Sequence, residues 1–122
     1  MYSKLQDDKP IFQQIAETIE SRILEGLIQE GDKIPSTNEM AKHYQINPAT
    51  AAKGINQLVE QNIVFKKRGI GMFVAEDARK IILAKRKTNF YNDYMVPLKK
   101  EAKKLGITVE ELKQLLEMEE ER

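Results

Sequence analysis

The chain has 122 residues, 41% of them hydrophobic, 32% charged and 7% aromatic, enough apolar material for one modest helical core with a small appendage. With no cysteine it has neither disulfides nor thiolate metal sites. The formal net charge is +1; no run of about 18 apolar residues predicts a membrane span, and Met1 to Asp8 lacks an apolar export core, so no membrane association and a cytoplasmic address are expected.

The small net charge hides a split. Residues 1–40 carry four Lys or Arg against eight Asp or Glu. Residues 41–75 carry five cations (Lys42, Lys53, Lys66, Lys67, Arg68) against one carboxylate, Glu60. Local field rather than total charge governs phosphate affinity, so the second stretch suits a polyanion.

In chain order, residues 1–9 read as a mobile lead-in. Pro10 opens a helix in its first turn. Ile11, Ile15, Ile19 and Ile23 recur every fourth residue, with Gln13, Glu17, Glu20 and Arg22 off the stripe. Gly26 closes this helix, Gly31-Asp32 turns, and Ile34-Pro35 leads extended into the next element. Ser36 with Glu39 forms a capping box that starts a second helix over about Thr37 to Tyr44, with Met40, Ala41 and Tyr44 inward. Gln45-Ile46 turns. Asn47 caps and Pro48 opens a third helix with Ala51, Ile55, Leu58 and Val59 inside, closed by Asn62. Ile63 to Lys67 and Met72 to Val74 are strand-like, joined by Arg68-Gly69-Ile70-Gly71, and so predict a hairpin.

Residues 78–105 predict a long helix that Pro97 kinks or splits. Tyr91, Met95, Leu98, Ala102 and Leu105 alternate four and three apart, as in a heptad seam. Gly106 ends it. Thr108 with Glu111 is a second capping box, opening a last helix with Leu112, Leu115, Leu116 and Met118 apolar. The acidic tail Glu117 to Glu121 is expected to fray. The fold class is thus mostly α with a small β-hairpin (α+β): a winged helix-turn-helix over residues 1–76 and a helical dimerisation segment over 77–122.

Two capped helices around a short turn, with the small Ala49, Ala51 and Ala52 opening the second, fit close approach to double-stranded DNA. A three-helix core without special purpose is the plainer alternative. The hairpin shifts the balance against it, because Lys66, Lys67 and Arg68 on a glycine turn repel one another unless an anion faces them; a solvated loop is the plainer reading of that run. A protein-docking adaptor remains a rival class, separable by salt-sensitive DNA retention. An enzyme has little support: there is one histidine, no nucleophile–base pair and no phosphate-cradling loop, and Gly69-Ile70-Gly71 is too short for a nucleotide fingerprint. No cofactor is expected. His43 reads as a helix-surface side chain without metal-ligand partners at suitable spacing.

Together Pro10-Ile11-Phe12-Gln13-Gln14-Ile15, Gly26, Gly31-Asp32-Lys33-Ile34-Pro35-Ser36, Glu39-Met40-Ala41 and Arg68-Gly69-Ile70-Gly71-Met72-Phe73-Val74 resemble the GntR family of bacterial winged-helix repressors, over roughly residues 9–76. Asn47-Pro48-Ala49-Thr50-Ala51-Ala52-Lys53 and the short tail resemble the YtrA-like branch, in which a small helical dimerisation unit replaces the effector domain. The resemblance implies a homodimeric repressor on a palindromic operator; any small-molecule effector is left unidentified. Family members carry arginines where this chain has Asn38, Pro48 and Ala52, so guanine reading through those arginines does not carry over.

The candidate DNA contacts are then Ser36 and Asn38 at phosphate or groove edge and Asn47 as cap and anchor. Ala49 and Thr50 suit thymine methyls, and Lys53 suits guanine or phosphate. Asn56 and Gln57 lie a turn later, and Lys66, Lys67, Arg68 and Gly69 form the wing, with Arg68 suited to a narrow minor groove. The candidate dimer interface is Phe90, Tyr91, Tyr94, Met95, Leu98, Ala102 and Leu105. A ligand pocket is the lesser reading of the three aromatics. Lys85-Arg86-Lys87, Lys99-Lys100 and Lys103-Lys104 read as solvated helix faces.

Overall fold

A computed structural model describes residue 5 and residues 8–119 of the chain. Of the expected mobile lead-in, residues 1–4 and 6–7 lie outside the described residues. Leu5 packs against the core, and the Lys9 carbonyl accepts a 2.8 Å hydrogen bond from Gln14 Nε2.

Helix α1 spans Ile11–Leu24, with Pro10 just outside it as the cap. Ile15, Ile19 and Ile23 are buried as expected, whereas Ile11 is 39% exposed. Four-residue steps walk about 40° around a helix of 3.6 residues per turn, so four isoleucines in such steps cannot all face inward. Glu20, off the stripe by its charge, is only 1% exposed; with Gln14 it widens the buried face beyond one apolar row. The helix closes at Gly26, where the N–H groups of Gly26 and Leu27 donate to the carbonyls of Ile23 and Arg22, the reciprocal pair of a Schellman end.

Helices α2 (Thr37–Tyr44) and α3 (Pro48–Glu60) follow, then strands β1 (Val64–Lys67) and β2 (Gly71–Val74). The hairpin is antiparallel, with Val64 opposite Val74 and Phe65 opposite Phe73. The segment before α2 pairs along the free edge of β2: Gly31 N–H donates to the Val74 carbonyl, Val74 N–H to that of Asp32 and Ile34 N–H to that of Met72. This third, strand-like edge ties the hairpin to the helices.

Ile15, Ile19, Ile34, Met40, Ile55, Leu58, Ile63, Val64 and Val74 form one core with Ala78 and Ile82. The last two belong to helix α4 (Ala78–Phe90). Arg79 Nη1 donates to the Leu24 carbonyl at 2.5 Å, placing a cation where the α1 dipole is negative. The chain divides into two compact units, the first ending at Ala84 and the second starting at Lys85. The first unit therefore takes in the opening of α4, beyond residue 76, because Ala78 and Ile82 complete its core.

The second unit holds the end of α4, a π-helical turn over Tyr91–Met95, α5 (Val96–Lys104) and α6 (Val109–Glu117). The helix expected over 78–105 is interrupted, but over residues 91–95 rather than at Pro97. Proline has no N–H for the Asp93 carbonyl, and its ring crowds that carbonyl. The turn before it widens instead, with Val96 N–H donating to the Tyr91 carbonyl five residues back. Pro97 then lies in the first turn of α5, where its missing N–H is harmless. α6 opens on the expected capping box, with Thr108 Oγ1 accepting from Glu111 N–H and Thr108 N–H donating to Glu111 Oε1, both at 3.1 Å. Of the expected fraying tail, residues 120–122 lie outside the described residues. Among the described residues no helix is long and apolar enough to cross a membrane.

Candidate nucleic-acid interface

The N-terminus of α2 is held by its own side chains. Ser36 Oγ accepts from Glu39 N–H at 3.1 Å, and Ser36 N–H donates to Glu39 Oε1 at 2.9 Å. Hydrogen bonds to the Glu39 carboxyl from the Ser36 N–H and the Ser36 hydroxyl, with Lys33 nearby, hold it below its ordinary pKa. Ser36 thus has its hydroxyl engaged in the cap, accepting from the Glu39 N–H and bonded to the Glu39 carboxyl. Asn38 is exposed in the same first turn. His43 lies exposed in the last turn, edge-on to the Tyr44 ring at 4.8 Å.

Between α2 and α3 the chain reverses through Gln45, whose φ is +55°, and Ile46 N–H donates back to the Ala41 carbonyl. Asn47 Oδ1 accepts from Ala49 N–H at 2.8 Å, and Pro48 starts α3, as their chemistry demands. Ala51, Gly54, Ile55 and Leu58 face inward. Ala49, Lys53 and Asn56 are exposed, while Thr50, Ala52 and Gln57 are half-buried. The period of the helix sets Ala49, Lys53, Asn56 and Glu60 on one outward strip. Thr50 lies to the side of it.

Beside that strip runs an open groove of about 560 Å3, lined by Ala49, Ala52, Lys53, Asn56, Gln57, Glu60 and, from α1, Phe12. Lys53 Nζ stands 4.2 Å from the centroid of the Phe12 ring. Two residues here, Phe12 and Gly54, were not assigned this role from the sequence. Phe12 looked like a flank of the α1 stripe. Nothing in the sequence singles out Gly54, where a Cβ would meet the Phe12 carbonyl oxygen at 2.5 Å. Glu60, exposed at the far end of the strip, disfavours phosphate there, so the first two turns of α3 are the part suited to a polyanion.

The wing separates the cations that the sequence runs together. Successive strand residues point to opposite faces, so Lys66 and Lys67 leave the hairpin on opposite sides. Lys66 pairs with Met72, which packs against the core. Lys67 lies on the outer face, its Nζ 4.5 Å from the Phe73 ring centroid and 5.8 Å from that of Phe65. Arg68 and Gly69 form the tip, closed by Ile70 N–H donating to the Lys67 carbonyl at 2.9 Å. Gly69 has φ +76°, the conformation that the third position of a type II turn requires and glycine adopts freely. Ile70, 61% exposed, is an apolar neighbour of Arg68 that the sequence did not single out.

In the second unit Phe90, Tyr91, Tyr94, Leu98 and Leu105 are exposed, Met95 is half-buried, and the Phe90 and Tyr94 rings lie 5.3 Å apart. Ala102 differs from the expected seam: it is 5% exposed and already covered within the chain. An uninterrupted heptad would align it with Tyr91, but the π-helical turn takes more residues than an α-turn and shifts the phase between them.

These features have close counterparts. The family model described as "Bacterial regulatory proteins, gntR family" matches residues 11–74, from the start of α1 to the end of β2. The chain is 35% identical over 112 residues to the uncharacterized HTH-type transcriptional regulator YhcF of Bacillus subtilis, covering 92% of this chain and 91% of that one. It is 31% identical to the HTH-type transcriptional repressor YtrA of the same organism, over 84% of this chain and 78% of the relative. A putative GntR-family regulator from Bacteroides thetaiotaomicron superposes with a TM-score of 0.76 at 33% identity, over 87% of this chain and 92% of that structure. A GntR-family regulator from Listeria monocytogenes gives 0.73 at 30% identity, over 95% and 100% respectively. With its capped helix pair, its hairpin, a family model matching residues 11–74 and relatives matched over 78% or more of their length, the chain belongs to the GntR family of bacterial regulatory proteins and is a DNA-binding transcriptional regulator, not an enzyme.

Proposed function

We propose that this regulator acts in the cytoplasm as a homodimeric repressor on a palindromic operator. Residues 1–76 meet the duplex and residues 77–122 hold two copies together. The observation that carries this reading is the outward strip of α3, with Lys53 near its start and Glu60 at its end, on the same compact unit as the Arg68 tip. The first turns of α3 then enter the major groove, with Ala49 and Thr50 against thymine methyls and Lys53, Asn56 and Gln57 toward base edges. Asn47 anchors the start of the helix on the backbone. Ser36 and Asn38 contact phosphate, and Arg68 with Gly69 enters the adjacent minor groove. Lys66 and Lys67, which leave opposite faces of the wing, contribute mainly to the field.

Pairing is supported by the second unit, which leaves Phe90, Tyr91, Tyr94, Leu98 and Leu105 exposed on a short segment. So much apolar surface in so few residues supports an interface there. Two copies would set two α3 helices on half-sites about one helical turn apart. Repression, by blocking polymerase, is supported by the printed name of the relative YtrA. A small-molecule effector, if one acts, is unidentified.

Selection of bound fragments from random DNA tests the reading. An enriched motif with two-fold symmetry, bound by a dimer in light scattering, is the expected result. An asymmetric motif, or none, rejects it.

A further inference from the structure

We propose that Phe12, on α1, is a positioning residue for Lys53. Its ring holds the Lys53 ammonium at one place beside the reading strip of α3, so that this lysine discriminates between bases instead of serving as a free phosphate contact. The proposal rests on the reading of α3 as the DNA-facing helix.

Two contacts made by consecutive residues of α3 support it. Lys53 Nζ lies 4.2 Å from the Phe12 ring centroid, within the range where a ring quadrupole attracts a cation. Gly54 lets the two helices approach so closely that any Cβ there would meet the Phe12 carbonyl oxygen at 2.5 Å. The backbone of Phe12 is thereby fixed against α3, and its ring is fixed beside Lys53. Among the described residues no carboxylate pairs with Lys53, so the ring is what restrains it.

The consequence follows from the freedom of a lysine side chain. An unrestrained ammonium on four methylenes loses much rotamer entropy in any single pose and meets phosphates wherever they lie. Such contacts carry no sequence information. An ammonium already held at the edge of the groove beside Asn56 and Gln57 meets base edges from a fixed direction. Guanine O6 and N7 are the acceptors suited to it. Phe12 therefore acts on DNA through Lys53, although it belongs to another helix.

The test uses the full chain and the half-site recovered by selection. Affinities for that site and for each single-base variant are measured for the wild type, Phe12→Tyr, Phe12→Leu, Lys53→Met and the Phe12→Leu/Lys53→Met pair, with melting curves alongside. Phe12→Leu is expected to lose about two- to five-fold of discrimination, the worth of an exposed cation–π contact. The loss should fall only at the base position that Lys53→Met also flattens. Phe12→Tyr, which keeps the ring, should retain the discrimination, and the pair should behave as Lys53→Met alone. Equal weakening on every sequence, or independent multiplication of the two effects, overturns the positioning role. If Lys53→Met itself changes neither base preference nor affinity at any salt concentration, the DNA-facing reading of α3 fails first.

Discussion

At Gly54 two preferences oppose each other. An alanine in a helix interior is favoured over glycine by about 1 kcal/mol. Yet the added Cβ would stand 2.5 Å from the Phe12 carbonyl oxygen and 3.1 Å from Ile15 Cβ, and a backbone oxygen cannot swing aside alone. Overpacking of that kind costs roughly 1–3 kcal/mol. Gly54→Ala is therefore expected to lower the urea midpoint, and a rise would show that α1 yields freely. Arg68 presents a simpler case, an exposed cation at the tip of the hairpin. Arg68→Ala should weaken binding to all sequences and make the plot of log affinity against log salt shallower by about one contact. It should also reduce any A·T preference beside the half-site; an unchanged salt slope removes the wing from the interface. Only Arg68 was legible in the sequence. Arg68 needs only its turn to be placed. Gly54 needs α1, and nothing local to α3 announces which atom will press on a helix glycine. The Phe12 ring over Lys53 was hidden for the same reason.

Elements were legible where their signals are local. Ser36 with Glu39, Asn47 with Pro48, and Thr108 with Glu111 each specify a helix start within four residues, and each forms with the expected hydrogen bonds. The pairing of residues 31–34 with β2 was not legible, because an edge strand is defined by its partner's register. Nor was the π-helical turn. Proline announces a defect, but where the helix absorbs it depends on which turn can widen. The capping box of α2 carries its own pH dependence. Glu39 has its carboxyl pKa lowered in the fold by the Ser36 bonds and Lys33. A depressed carboxylate contributes stability that is fully present above its unfolded pKa and is lost as pH falls through the lower, folded value. Glu39→Gln keeps the shape of the box but removes the charge that favours a helix N-terminus. The wild type should therefore melt above Glu39→Gln near neutrality, and the gap should close as pH falls below the ordinary glutamate range. A gap of constant size across that range would mean that the carboxylate charge contributes nothing.

At the scale of the whole molecule, selectivity depends on whether two reading units act together. A single α3 and wing offer few base contacts, and this chain lacks the arginines that its resemblance would place at Asn38, Pro48 and Ala52. A pair of half-sites bound by linked copies gains from effective concentration, which can raise avidity by about 10²–10⁴ without any new contact. In the proposed dimer the apolar surface of the second unit links them, and Tyr91 and Leu98 are exposed within it. Ala102, already covered within the chain, is not a useful site to disrupt. Replacing both Tyr91 and Leu98 by glutamate puts two charges where a partner's apolar surface would have to desolvate them. The double variant is expected to run as a monomer in light scattering. Its affinity for the palindrome should fall about 100-fold or more, while its affinity for an isolated half-site stays near that of the wild type. The half-site measurement separates this outcome from damage to the first unit, which would weaken both. A dimer that survives the two glutamates would assign pairing to a different surface, with the exposed Leu115 and Leu116 of α6 the next to be changed.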